Sequence, residues 1–170
     1  NGKFRACFFN GIEAPIGANS TLAQYIDRDA YISDFPIQSW RGFYHDWKKG
    51  TIGVSGKSDQ VSAVWRGKIL FQEGNYNFHT KSDDGVELSL DGKVLISNWT
   101  DHGFVQNDAN NIKVSGDYHD VQLRWYENAH DASIGLWWDW SLPPELAVSI
   151  SNFTSNDADN VVAAGTPVTM

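Results

Sequence analysis

The stretch Ser82-Asp83-Asp84-Gly85 sets two carboxylates side by side before a glycine. Carboxylate oxygens are hard donors of the kind calcium takes, but Asp and Gly are equally the residues of turns. The residues alone leave both readings open. Successive side chains of a strand point to opposite faces, so adjacent aspartates reach one ion only where the backbone departs from regular strand geometry. A second polar stretch, Glu127 to Asp131, follows an aromatic run and reads as another polar loop. A third, containing Asp101, His102, Gln106, Asn107 and Asp108, reads either as a solvated loop or as the rim of a site.

Other chemistries find no matching residues. Glycoside hydrolysis needs two carboxyls facing each other ~5–10 Å apart across a cleft, which adjacent aspartates sharing one ion do not provide. No nucleophile elbow supports Ser-His-Asp catalysis. His45, His79, His102, His119 and His130 lack any paired spacing for zinc. Cys7, inside the aromatic run Phe4 to Phe9, reads as a small buried apolar residue. The expectation is a non-catalytic protein. A net charge of −8, from 21 acidic and 13 basic residues, disfavours nucleic acid and anionic membrane surfaces as partners. A single cysteine excludes an internal disulfide, and a secreted chain without disulfides points to a bacterial source. No apolar run approaches the ~20 residues of a membrane span. The abrupt start at Asn1-Gly2-Lys3 reads like an excised domain, with no signal peptide.

The elements that must hold these residues are strands. With 8 Trp, 9 Phe, 6 Tyr and 15 Gly, and no apolar repeat at the helical period, the chain reads as all-β. Alternating runs begin at Phe4 and recur at Val61–Phe71, Asn75–Lys81, Val86–Leu90, Lys93–Trp99, Ile112–Val114, His119–Tyr126 and Ala132–Trp140. Gly67 suggests a bulge, and Asp91-Gly92 a hairpin turn. Thr100 to Asn111 reads as a polar loop. Trp99 reads as core, with Trp65, Tyr76, Phe78, Leu88, Trp125 and Trp137. Between residues 10 and 60 the pattern is weak; Gln38 to Tyr44 could wall a groove or simply pack. Leu146 to Phe153 could add a last strand, and 154–170 reads as a linker or the start of a following domain. The expected fold is an antiparallel β-sandwich, jelly-roll-like with long irregular loops, over residues 1–153.

A series of short pieces, in order and spacing, carries a family resemblance. They are Trp65-Arg66-Gly67, Glu73-Gly74-Asn75-Tyr76-Asn77-Phe78, Ser82-Asp83-Asp84-Gly85-Val86-Glu87-Leu88, and Asp91-Gly92 with Trp99. Gly116-Asp117-Tyr118-His119, Trp125-Tyr126-Glu127-Asn128 and Leu136-Trp137-Trp138 complete the series. Together they resemble the PA-fourteen domain, the sandwich module named after anthrax protective antigen. Such modules occur in toxins, glycosidases, yeast flocculins and bacterial adhesins, so the resemblance implies a fold and not one job. Its sugar-binding members imply a calcium ion held by Asp83 and Asp84, joined by a cis peptide. They also imply the Asn128 amide and backbone carbonyls from the loop reaching His130 and Ala132. Sugar contacts then fall to Asp83, Asp84, Asn128, Asp131, His102 and Gln106. The implied function is a calcium-dependent lectin module of a cell-surface adhesin, outside the cell. It would bind cell-surface glycans or polysaccharide as a monomeric unit of a longer chain. The alternative is a sugar-targeting or protein-interaction module attached to a toxin or glycosidase.

Overall fold

The computed structural model describes residues 3–14, 23–27 and 41–141. They form β1 (Lys3–Asn10), β2 (Ala23–Asp27), β3 (Arg41–Lys48), β4 (Val61–Leu70) and β5 (Gly74–Asp83), followed by β6 (Val86–Leu90), β7 (Lys93–Asn98), β8 (Val105–Val114), β9 (Tyr118–Glu127) and β10 (Ala132–Ser141). All pairings are antiparallel. A six-stranded sheet runs β2-β1-β4-β9-β6-β7, and a four-stranded sheet runs β3-β10-β5-β8. No helix occurs among the described residues. The inner faces of both sheets share one apolar cluster, so the chain is an all-β antiparallel sandwich.

Alternation explains which face each strand buries. In β5, Tyr76, Phe78, Thr80 and Ser82 are buried while the residues between them are partly exposed. In β9, Val121, Leu123, Trp125 and Glu127 occupy the same inward series. Where the sheets meet, the rings of Phe43 and Trp65 lie 5.5 Å apart, and those of Trp65 and Trp125 lie 6.2 Å apart. Removing one such ring typically costs ~3–5 kcal/mol. The β6–β7 turn follows the expected hairpin chemistry: Asp91 and Gly92 both have positive φ, at 50° and 79°. Cys7 is buried and forms no disulfide.

Several expectations need correction. Thr100 to Asn111 is not loop throughout, because β8 begins at Val105 and pairs with β5 as far as Gly74↔Val114. As an edge strand it leaves most side chains in solvent, so it carries no apolar alternation to read. Gly67 makes no bulge, since the β4–β9 register runs through it unbroken; a Cβ there would lie 3.0 Å from the Lys3 carbonyl and the Phe4 ring. Trp138 is the inward tryptophan of β10, packed on Phe71 and Phe78. Trp137 is buried on the opposite face, stacked on His79 at 5.3 Å. Trp99 is half-buried, set edge-on to Tyr126 and beneath Arg124. In the segment read as wall or packing, Phe43 is core, and residues 38–40 lie outside the described residues. So do the strand expected at 146–153 and the linker expected at 154–170.

Candidate functional site

One end of the sandwich gathers the polar stretches. β5 delivers Asp83, the short connection Asp84-Gly85 leads into β6, and β9 ends at Glu127 before the loop Asn128 to Asp131. The Asp83–Asp84 peptide is cis, the geometry the resemblance implies. Gly85 is needed for close approach: the Tyr126 ring lies against its backbone, and a Cβ would fall 2.8 Å from Cζ and 2.9 Å from Cδ1. The Asp84 amide donates to the Tyr126 carbonyl at 3.2 Å, and the Tyr126 amide donates to the Gly85 carbonyl at 3.0 Å. These contacts lock the aspartate pair to the end of β9.

Asp84 is buried and ties two loops together. Its Oδ1 accepts the His102 amide at 2.8 Å, and its Oδ2 accepts the Asn128 amide at 3.0 Å. Asp101 reinforces the arrangement: its Oδ1 accepts the Tyr126 hydroxyl and its Oδ2 the Asn128 side-chain amide, both at 2.8 Å. Those two bonds hold the Asp101 carboxyl below the usual carboxylate range. The Tyr126 hydroxyl is pushed up, first by burial and then by its bond to Asp101. Asn128 Oδ1 accepts a hydrogen bond from the Gln60 side chain. His130 has φ of 92°, a conformation L-residues rarely adopt, and its amide donates to Asp59 Oδ1 at 3.0 Å.

Sequence reasoning passed over the residue that completes the cluster. Glu127 is fully buried between the sheets, and one carboxylate oxygen each of Asp83, Asp84 and Glu127 lie within 4.8 Å of one another. Among the described residues, neither Glu127 oxygen has a partner at hydrogen-bond geometry. Its carboxyl is pushed up to about 9 by burial, then by Asp84, Asp83 and Asp59, with the Ala129 amide pulling the other way. Burial, then Asp84 and Asp131, raise Asp83 to about 6, against the lowering influence of His102 and His130. A signal did exist in the sequence: Val121, Leu123, Trp125 and Glu127 are spaced by two, which puts a glutamate on the inward face.

Buried carboxylates are normally paired or bound to a cation, and here three converge, one of them with no partner at hydrogen-bond geometry among the described residues. The donors are oxygens only, which suits a hard cation such as calcium better than zinc or copper. The donor set therefore fits calcium.

An open pocket of about 600 Å³ lies over the cluster. Among the expected site residues, Asp83, Asp84, Asn128, His130, Asp131 and His102 line it, joined by Asp101, Gly103, Ala129 and Lys49. Two do not. Ala132 is buried at the start of β10 and lines an adjacent cleft instead. Gln106 sits on β8, opposite Lys81, with its side-chain amide donating to Asp108 at 2.9 Å.

Residues 37–152 match the PA14 domain. The chain belongs to the PA14 domain family. It is also 33% identical over 95 residues to the anti-sigma-I factor RsgI3 of Acetivibrio thermocellus, a match covering 55% of this chain and 15% of that protein. A solved anti-sigma factor domain-containing protein superposes with a TM-score of 0.64 at 25% identity, covering 81% of this chain and 43% of that one. The PA14 sugar-binding domain from an RTX adhesin shares the fold, with a TM-score of 0.51 at 12% identity over 82% of this chain and 90% of that one. This PA14 chain thus spans a small part of the curated relative it matches.

Proposed function

We propose that this PA14 module is a non-catalytic, calcium-dependent carbohydrate-binding unit. The observation that carries the reading is the convergence of Asp83, Asp84 and the buried, unpartnered Glu127 within 4.8 Å. When bound there, calcium would offer open coordination positions to two neighbouring sugar hydroxyls. The chain's own residues prepare that place. Asp84 fixes the loops of His102 and Asn128 through their amides, and Asp101 keeps the Asn128 side chain at the rim. Asp131, His102 and Lys49 border the pocket, where they can bond further hydroxyls. A hydrolytic role fits poorly, since retaining and inverting glycosidases hold their carboxyls ~5–9.5 Å apart with the sugar between them. Here the three carboxylates crowd together on one side.

The parent chain is better read as a regulator than as an adhesin. The similarity to anti-sigma factor chains supports a sensing module that couples an external glycan to a sigma-regulating segment elsewhere in the protein. An open site engaging two hydroxyls buries little surface, so affinity for a monosaccharide of order 0.1–1 mM is expected.

The test is calorimetric titration of metal-stripped protein with calcium chloride, followed by a glycan array with and without EGTA. One calcium per chain is expected, lost in Asp83→Ala and weakened at least ~10-fold in Glu127→Gln. Sugar binding should vanish with EGTA. Unaltered calcium uptake in both variants, or sugar binding that survives the chelator, refutes the reading.

A further inference from the structure

A second concavity of about 350 Å³ opens beside the carboxylate cluster and shares Asp83 and Asp131 with its pocket. Tyr44 from β3 and Phe104 from the connection before β8 wall it. Phe104 is 49% exposed beside the acidic site. The ring is nevertheless held in place. Lys81 Nζ stands 4.1 Å from its centroid, and the Tyr44 ring meets it edge-on at 6.2 Å. Its backbone neighbourhood is tied to the site as well, because the His102 amide bonds Asp84 two residues earlier. Polar groups flank the rings: Asp46, Lys48 and Asp131 line the cleft, as does Ser133. The Ser133 Oγ is buried and has no hydrogen-bond partner among the described residues.

An oriented aromatic ring with polar groups around it matches one ligand chemistry well. A sugar ring carries an apolar C–H face that packs on aromatic rings, and hydroxyls at its edge that need donors and acceptors. Such a unit placed here would be adjacent to a unit at the carboxylate cluster, since the two concavities meet at Asp83 and Asp131.

We propose that the Tyr44–Phe104 cleft is a second sugar subsite, so that the module reads an oligosaccharide rather than a single residue. The proposal rests on the carbohydrate reading of the carboxylate site and names the class of ligand that site selects. One unit lies at the cluster; the next stacks on Phe104 and reaches Ser133 and Asp131 with its hydroxyls. The cleft then contributes length dependence, while the cluster contributes the calcium requirement.

The experiment uses an array of matched series, one to four units long, of β-1,4-linked glucose, β-1,4-linked xylose, α-linked mannose and α-1,5-linked arabinose, in calcium buffer. Calorimetry then follows on the best-bound series. In the wild type, affinity should rise about tenfold from one unit to two or more. Phe104→Ala, a change at an exposed position, should erase that rise and leave calcium uptake unchanged; Tyr44→Ala should reduce it. An affinity that does not grow with length, or a rise that survives in Phe104→Ala, overturns the subsite while the calcium-dependent reading stands. Failure of every series to bind in calcium overturns both. Binding of an unrelated peptide at the cleft, detected as loss of binding in Phe104→Ala without any sugar response, also overturns it.

Discussion

Asp83 and Asp84 are neighbours with the same side chain, yet truncating them should move the stability of the calcium-free protein in opposite directions. Asp84 accepts two backbone amides, from His102 and Asn128. Hydrogen bonds to a charged group contribute ~1.5–3 kcal/mol each, so Asp84→Ala forfeits ~3–6 kcal/mol and leaves two amides without partners. Against that stands relief of repulsion: two carboxylates with oxygens within 4.8 Å of one another repel by about 3 kcal/mol at an effective dielectric of ~20. The hydrogen bonds win, with a net loss of about 2 kcal/mol. Among the described residues no hydrogen bond reaches the Asp83 carboxylate, and burial, then Asp84 and Asp131, push its pKa up to about 6. Asp83→Ala should therefore stabilise the calcium-free fold by about 1 kcal/mol, the repulsion being reduced by solvent screening. The assay is thermal unfolding in EGTA. At ~2–4 °C per kcal/mol for a chain of this size, the two variants should melt roughly 6–12 °C apart. Repeating the melts at a calcium concentration near 100 times the dissociation constant should raise the wild type by the equivalent of ~2.7 kcal/mol and neither variant. Equal shifts of the two variants in EGTA, or a greater loss in Asp83→Ala, would refute the division of labour between them.

Two further outcomes follow from the packing. Gly85→Ala places a methyl on the Tyr126 ring; overpacking of ~1–3 kcal/mol, together with displacement of the hydroxyl from its bond to Asp101, should cost about 3 kcal/mol in denaturant unfolding and weaken calcium uptake. His45 carries a ring nitrogen that is buried without a hydrogen-bond partner, and burial holds its pKa below 6.5. A base with a depressed folded pKa contributes stability that is present above 6.5 and lost progressively as the pH falls toward the folded value. His45→Phe should thus show a smaller loss of melting temperature than the wild type between pH 7.5 and about 5, with calcium absent from both.

Much of the sandwich was open to reading because β5 alternates throughout and β9 alternates as far as Trp125, and alternation is a local property of a strand with one buried face. The inward placement of Phe78, Leu123 and Trp125 follows from it directly. The Asp83–Asp84 pair stood out as adjacent polar residues interrupting such a run, while Asn128 was reached through the family resemblance. The first part of edge strand β8 escaped, because it is paired on one side and its residues from Val105 to Asp108 stay largely in solvent, leaving no apolar rhythm before Ala109. In β10 the run Leu136-Trp137-Trp138 is apolar at every position, so only the sheet pairing decides that Trp138 points inward and Trp137 outward.

The chain's order of residues determined by itself that it would form strands, which faces would be apolar, and that two aspartates would share one bend. Tertiary structure alone decided what those aspartates face. Glu127 lies 43 residues beyond Asp84, yet pairing of β9 between β4 and β6 brings its carboxylate into the same few ångströms. Tyr44 belongs to β3 and Phe104 to the connection before β8, and the two meet only because β10 and β5 join those elements in one sheet. Spacing along a strand reports which side a residue takes; which other strand's residue it meets there depends on register and sheet order, and those are settled by the summed packing of the whole sandwich.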